Sequence, residues 1–269
     1  MTPMTLRAVV FDWAGTMIDH GSQAPMGVFV KAFAQFGVDI TVAEARGPMG
    51  MAKRDHIKTL LAQPRIATAW AATRGTAPTE ADIDAIYAVF VPMNVAAVTD
   101  FAQLIDGAAD IAVDLRQRGL KIGSTTGYTR EIMAPLLPLA AAQGYAPDNL
   151  VCAGDLAEGR PSPLMMYRSF LDLGIWPAAT VVKVDDTSVG IAEGLNAGCW
   201  TVGVAMTGNV FGLNKAETEA LEGASYHAMR NAAYATLTRA GAHFVIDSVA
   251  DLGPVLDEID GALARGERP

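Results

Sequence analysis

Four short segments and one helical stripe hold the residues whose types and spacing could do chemistry. Phe11-Asp12-Trp13-Ala14-Gly15-Thr16 places a carboxylate ahead of a tight turn. Ser124-Thr125-Thr126-Gly127 supplies hydroxyls and a small residue, Gly159-Arg160-Pro161-Ser162-Pro163 a guanidinium at the start of an expected helix, and Asp185-Asp186-Thr187 two adjacent acids. Hydroxyls, backbone N–H groups and a guanidinium suit the oxygens of a phosphoryl group, and carboxylates suit a hard cation. Asp12 alone reads equally well as a turn or helix-cap residue. The stripe lies in Gly47-Pro48-Met49-Gly50-Met51-Ala52-Lys53-Arg54-Asp55-His56. Helical spacing puts Met49, Lys53, His56 and Leu60 within about 60° of arc. Apolar neighbours such as Met49 lower an amine's pKa and raise its neutral, nucleophilic fraction, and a nearby imidazole can carry protons. The rival reading is a lysine stem lying over apolar surface with its head in water, beside a histidine that only packs.

These residues need a scaffold that holds them at one edge. Short β-branched runs recur at 6–11, 120–125, 149–153, 180–184, 200–204 and 243–246, most ending in a small or acidic residue. Helical patterns at 108–118, 129–142, 161–173 and 187–197 separate them, with Gly119, Gly144, Gly174 and Gly198 as expected C-terminal caps. Such alternation predicts an α/β fold, a doubly wound parallel-sheet (Rossmann-like) core with ligands at the carboxyl ends of its strands. From 21 to 98 only helical patterns occur. Thr41 with Glu44 and Thr79 with Asp82 read as capping boxes, and Gly47-Pro48 separates two helices. We therefore expect a core of 1–20 and 99–269 and an all-helical cap domain, 21–98, inserted after the first core strand and able to close a site against water.

In this order and at these strand ends, the four segments resemble the motifs of the haloacid dehalogenase superfamily, across roughly 5–20 and 99–250. The resemblance implies that Asp12 attacks phosphorus, which requires a cation to screen its charge from an anionic substrate; Mg²⁺ is the implied cofactor. Asp12 and Asp186 are the implied side-chain ligands, with the backbone carbonyl of Ala14 as the third protein ligand. Thr126, with Gly127 beside it, would donate to phosphoryl oxygens, and Arg160 would supply a fixed positive charge where the family more often has Lys. Two readings compete for Asp185: a group that orients the loop or supports the metal shell, and a solvated strand-end acid. Gly190 stands where the superfamily commonly has a further acid.

One departure from the pattern bears on the reaction. Phosphatases and phosphomutases of the superfamily carry Asp two places after the nucleophile to protonate an alcohol leaving group; here that place is Ala14. Expelling a carbanion from phosphorus needs an electron sink instead, and a protonated imine formed by Lys53 on an adjacent aldehyde provides one. The segments DWAGT, PMGMAKRDH and STTGYT are similar to those of the carbon–phosphorus-cleaving branch of the superfamily. That branch implies hydrolysis of phosphonoacetaldehyde to acetaldehyde and orthophosphate, with His56 assisting proton transfer, Met49 shaping the site, and a homodimer. Tyr128 either hydrogen-bonds in the site or packs on the cap. The rivals are a phosphatase or phosphomutase, disfavoured by Ala14; a dehalogenase, which leaves Asp186, Thr126 and Arg160 without a task; and a catalytically dead phosphate-binding regulator.

Composition narrows the classes further. The chain has 269 residues, 51% hydrophobic and only 18% charged, which excludes disorder and fits strands buried on both faces. A net charge of -9 without a basic cluster argues against a nucleic-acid partner. No apolar run is expected to reach a membrane span, the longest candidate being interrupted by Pro135 and Pro138, and no signal-peptide pattern precedes the first strand, so a cytoplasmic protein is expected. Cys152 and Cys199 fall in or beside core strands and read as small hydrophobes.

Overall fold

The computed structural model describes residues 4–269. The chain runs β1 (Ala8–Phe11), α1 (Ala24–Gln35), α2 (Val42–Arg46), α3 (Lys53–Ala62), α4 (Pro64–Arg74), α5 (Glu80–Val98), α6 (Ala108–Gln117), β2 (Lys121–Thr126), α7 (Arg130–Ala142), β3 (Val151–Cys152), α8 (Leu164–Leu173), β4 (Val181–Asp185), α9 (Ser188–Asn196), β5 (Trp200–Val204), α10 (Lys215–Ala220), α11 (Gly223–Arg239), β6 (Phe244–Ile246) and α12 (Leu252–Ala264). All six expected strands form. They make one parallel sheet in the order β3-β2-β1-β4-β5-β6.

Because β1 pairs with both β2 and β4, the chain reverses its direction of winding there. Phe11 stands opposite Ser124 on one side and Val184 on the other. An open parallel sheet leaves a crevice beyond its carboxyl ends at such a switch point, and Asp12 is the first residue past it. Both faces of the sheet are covered. Phe11, Ile122, Val182 and Val202 pack with Ile111, Leu115, Leu136 and Leu256 on one side, while Val10 and Val181 meet Met166 on the other. This double burial is why the strands read as unbroken apolar runs.

Between β1 and β2 only helices occur, and they have an apolar cluster of their own, including Phe29, Phe33, Ile57, Leu60, Trp70 and Phe90. Thr41 and Thr79 form the expected capping boxes with Glu44 and Asp82. The four expected cap glycines all take positive φ just past their helices.

Three details differ from the sequence reading. The helix expected from 161 begins at Leu164, and 160–163 form a turn; Pro161 and Pro163 each push the preceding residue out of helical backbone and donate no N–H. Helices α10, α11 and α12 were not anticipated, since α10 and α11 bury few residues and carry no clear apolar stripe. Finally, Glu80–Phe101 is long and apolar enough, by length and composition, to cross a membrane. Here it packs on α1 and α3, with Ile83, Ile86, Phe90 and Val91 buried in the helical cluster.

Candidate active site

The carboxyl ends of β1, β2 and β4 bring Asp12, Thr126 and Asp185-Asp186 to one place. The loop from Gly47 to Ala52, ahead of α3, lies directly over them. A side chain at Gly127 would sit 2.7 Å from the Met51 carbonyl and 2.9 Å from that of Gly50, so the strand end and the loop meet backbone to backbone. Only glycine permits that approach. Under this contact is a small cavity lined by Asp12, Ala14, Ser22, Met49, Gly50, Lys53, Thr126, Gly127, Tyr128, Arg160, Asp186 and Thr187.

Lys53 enters from the first turn of α3 and is 2% exposed. Its Nζ lies 3.8 Å from Met49 Sδ, 5.0 Å from the centre of the Tyr128 ring and 5.7 Å from that of Phe29. Burial among these groups lowers the amine to about 8, partly opposed by the Asp12 charge. The snorkelling alternative is thereby removed, since the head of this lysine is not in water. Tyr128 meets Lys53 through its ring, and its Oη has no hydrogen-bond partner among the described residues. Thr126 Oγ1 accepts from the Tyr128 N–H at 3.1 Å, leaving its own proton free.

His56 sits elsewhere than expected. It does not line the cavity; it is fully buried behind Lys53, stacked on Phe29 with ring centres 4.0 Å apart. Its Nε2 is 2.8 Å from the Ala45 carbonyl. A carbonyl only accepts, so Nε2 carries the proton and Nδ1 has the free lone pair, with no partner among the described residues. Burial and the neighbouring Lys53 hold the ring's pKa well below the usual range, and the imidazole is neutral.

Arg160 reaches under the cavity and is buried. Its Nη2 lies 2.8 Å from Asp12 Oδ1 and donates to the Thr125 carbonyl at 2.6 Å; its Nη1 is 3.3 Å from Asp185 Oδ2 and its Nε 3.0 Å from Glu193 Oε2. Lys183 Nζ joins the same group, 3.1 Å from Asp185 Oδ2, 3.2 Å from Glu193 Oε2 and 2.7 Å from Thr125 Oγ1. The structure decides between the two readings of Asp185: it is fully buried, paired with both cations, and accepts from the Thr187 N–H at 3.0 Å and hydroxyl at 2.7 Å. It is a loop-orienting group and not a solvated acid. A side chain at Gly190 would overlap this carboxylate, so the place of the superfamily's further acid is filled by Asp185 itself.

Asp12, Asp185 and Asp186 present oxygens within 4.8 Å of one another. Four buried carboxylates, counting Glu193, face three buried cationic side chains, Arg160, Lys183 and Lys53, the last with its charge weakened by burial. Among the described residues Asp186 has no cationic side chain within ion-pairing distance; burial, with Asp12 and Asp185 beside it, pushes its carboxyl well above the usual range, and Asp12 is pushed up to about 6, chiefly by burial. A site with excess negative charge, only oxygen donors and an unpaired carboxylate fits a hard divalent cation. Gly15, at positive φ, lets the backbone beside Ala14 pass against the Asp186 carboxylate, where any side chain would collide.

The structure thus brings together Asp12, Ala14, Met49, Lys53, Thr126, Gly127, Tyr128, Arg160 and Asp186, and sets His56 behind them. Sequence reasoning missed Lys183, Glu193 and Ser22. A charge inside the apolar strand Val181–Asp185 was the visible signal for Lys183; Glu193, the one charged residue of α9, stood out in the same way, but its spacing did not tie it to Arg160. Ser22 lines the cavity at φ 51 with its Oγ unpartnered among the described residues.

Comparison with known proteins gives the family and the fold. Residues 6–198 match the family model for haloacid dehalogenase-like hydrolases. Phosphonoacetaldehyde hydrolase of Paraburkholderia xenovorans is 58% identical over 98% of this chain and 99% of its own, and that of Klebsiella pneumoniae 49% over 98% and 99%. The crystal structure of a phosphonoacetaldehyde hydrolase-like protein from Oleispira antarctica superposes with a TM-score of 0.98 at 44% identity, covering 99% of this chain and 97% of that one.

Proposed function

The chain is a member of the phosphonoacetaldehyde hydrolase family within the haloacid dehalogenase-like hydrolases, and from that premise we propose that it hydrolyses the carbon–phosphorus bond of phosphonoacetaldehyde through an imine on Lys53 and an aspartyl phosphate on Asp12. One observation carries this reading. A buried amine with lowered pKa and a buried carboxylate line the same small cavity, and position 14 has no acid to serve an alcohol leaving group.

In this reading the neutral Lys53 amine adds to the aldehyde carbon, and the adduct takes up one proton from solvent and loses water, leaving a protonated imine. The phosphonate oxygens rest on Arg160, Thr126 and the N–H groups at Gly127. An Asp12 oxygen then attacks phosphorus; the carbon–phosphorus bond breaks and its electron pair enters the imine, giving a neutral enamine. Water cleaves the aspartyl phosphate, releasing orthophosphate and restoring Asp12. The enamine takes a proton on carbon, and a second water hydrolyses the resulting imine to acetaldehyde and free Lys53. Asp12, Asp186 and the Ala14 carbonyl would hold Mg²⁺, which when bound screens the repulsion between the attacking carboxylate and the phosphonate. His56, with its Nε2 proton committed to Ala45, acts through Nδ1 as a proton acceptor beside Lys53.

The helical unit, 21–98, is the cap that brings Lys53 over the core and excludes water. We also propose a cytoplasmic homodimer. Along α5, Ala85, Ala88, Pro92 and Ala96 are exposed on one face with Val89 and Met93 half-buried beside them, an apolar surface a second copy would cover. Light scattering should give twice the monomer mass.

Borohydride reduction in the presence of phosphonoacetaldehyde, followed by peptide mass spectrometry, tests the chemistry. Irreversible inactivation with the added mass on Lys53 is expected. Lys53→Arg keeps the charge but offers no neutral amine, and should lose trapping and several orders of magnitude of turnover. Trapping at another lysine, or substantial turnover by Lys53→Arg, would overturn the mechanism.

A further inference from the structure

Arg46 ends α2 on the helical unit, yet its guanidinium is spent on the core and on the strand-to-helix linker. Its Nη1 donates to the Gly21 carbonyl at 2.8 Å and to Asn209 Oδ1 at 3.1 Å, and its Nη2 to the Gly212 carbonyl at 2.7 Å. Asn209 answers from the core, donating its Nδ2 to the Arg46 carbonyl at 3.3 Å, while its backbone N–H donates to Asp186 Oδ2 at 2.7 Å. A single residue therefore joins a contact with the helical unit to the carboxylate that lacks a cationic partner.

We propose that Arg46 is a positioning residue that couples closure of the cap to the orientation of Asp186, by way of Asn209. The inference rests on the reading of Asp186 as a metal-holding group.

The chemistry of the contact suits a latch that opens. Every acceptor of Arg46 is a neutral oxygen, three of them backbone carbonyls when the longer 3.5 Å contact to Ser22 is counted. Breaking it exchanges neutral acceptors for water and strands no buried carboxylate, whereas parting a buried ion pair would. The guanidinium is also desolvated in the closed arrangement; burial lowers its pKa, with Asp19 and Asp186 opposing. The local backbone is shaped for it: Gly212 is at positive φ, and a side chain there would stand 3.0 Å from Arg46 Nε. With the cap closed, the loop carrying Asn209 is clamped from outside, and the Asn209 N–H holds one Asp186 oxygen in a fixed direction. With it open, that loop loses the clamp.

The test uses the whole protein and Mg²⁺ alone, by calorimetric titration, together with KM and kcat for phosphonoacetaldehyde. Removing a nearby positive charge by itself tightens Mg²⁺ binding, so the sign of the change separates a latch from a through-space charge. Arg46→Ala should weaken Mg²⁺ binding and raise KM, each about tenfold for the loss of charged hydrogen bonds, with a smaller fall in kcat. Asn209→Ala should do the same, and Arg46→Lys should recover part of the loss. Arg65→Ala is the control, because Arg65 pairs with Glu44 on the same short helix and touches nothing in the core. Mg²⁺ affinity and KM in Arg46→Ala within twofold of wild type, or tighter Mg²⁺ binding, would overturn the latch. So would shifts matched by Arg65→Ala. Absence of turnover in the wild type would instead defeat the functional reading, and the Mg²⁺ titrations would still decide the latch.

Discussion

Lys53 shows how far a side chain's chemistry depends on its surroundings. In water its amine is almost wholly protonated at neutral pH; among Met49, Phe29 and the Tyr128 ring, it is lowered to about 8. Imine formation needs the neutral amine. The rate of borohydride trapping should therefore rise with pH, level off above 8, and fall about tenfold per unit below it, as the neutral fraction does. A rate independent of pH between 6 and 9 would show that the amine is not the titrating nucleophile. His56, by contrast, contributes no charge over this range, since burial and Lys53 keep its pKa well below 6.5.

At the scale of elements, β4 and α9 form one device. The strand ends on Asp185, Thr187 caps the helix with its hydroxyl on the Gly190 N–H, and the Asp185 carboxylate fills the space above Gly190 while pairing with Lys183 and Arg160. Gly190→Ala should therefore cost about 1–3 kcal/mol of stability from overpacking and displace Asp185 from Arg160. Phosphate affinity should fall with it, measured by orthophosphate inhibition. An unchanged inhibition constant in a folded variant would show that Asp185 does not brace Arg160.

For the whole molecule, the decisive quantity is the charge left over where two structural units meet. Four buried carboxylates against Arg160, Lys183 and the mostly protonated Lys53 leave a net negative charge in a low-dielectric site, which disfavours folding unless protons or a divalent ion compensate. Mg²⁺ should raise the unfolding temperature, by roughly 5–10 °C at a hundredfold excess over its Kd. Excess chelator should abolish turnover while leaving the fold intact. Asp186→Ala should remove the Mg²⁺-dependent shift. An equal shift in that variant would place the ion elsewhere.

The sequence by itself determined the parallel sheet, the helical insertion and the identity of the groups at the strand ends. Those features are local: short unbroken apolar runs, capping boxes such as Thr41 with Glu44, and glycines after helices follow from neighbours along the chain. Lys53 and His56 share α3 as their spacing predicted, but Met49, expected one helical turn earlier, lies in the loop ahead of that helix, and it is the fold of the loop that brings its sulfur to 3.8 Å from the amine. Tertiary structure alone decided what lies across gaps of many residues. It turned His56 behind the site onto Ala45, brought Glu193 and Lys183 beneath Arg160, made Asp185 a buried brace, and set Arg46 against Asn209. The physical reason is that burial, and the pairing it forces on charges, depends on which segments the sheet order brings together; sequence spacing carries no record of that.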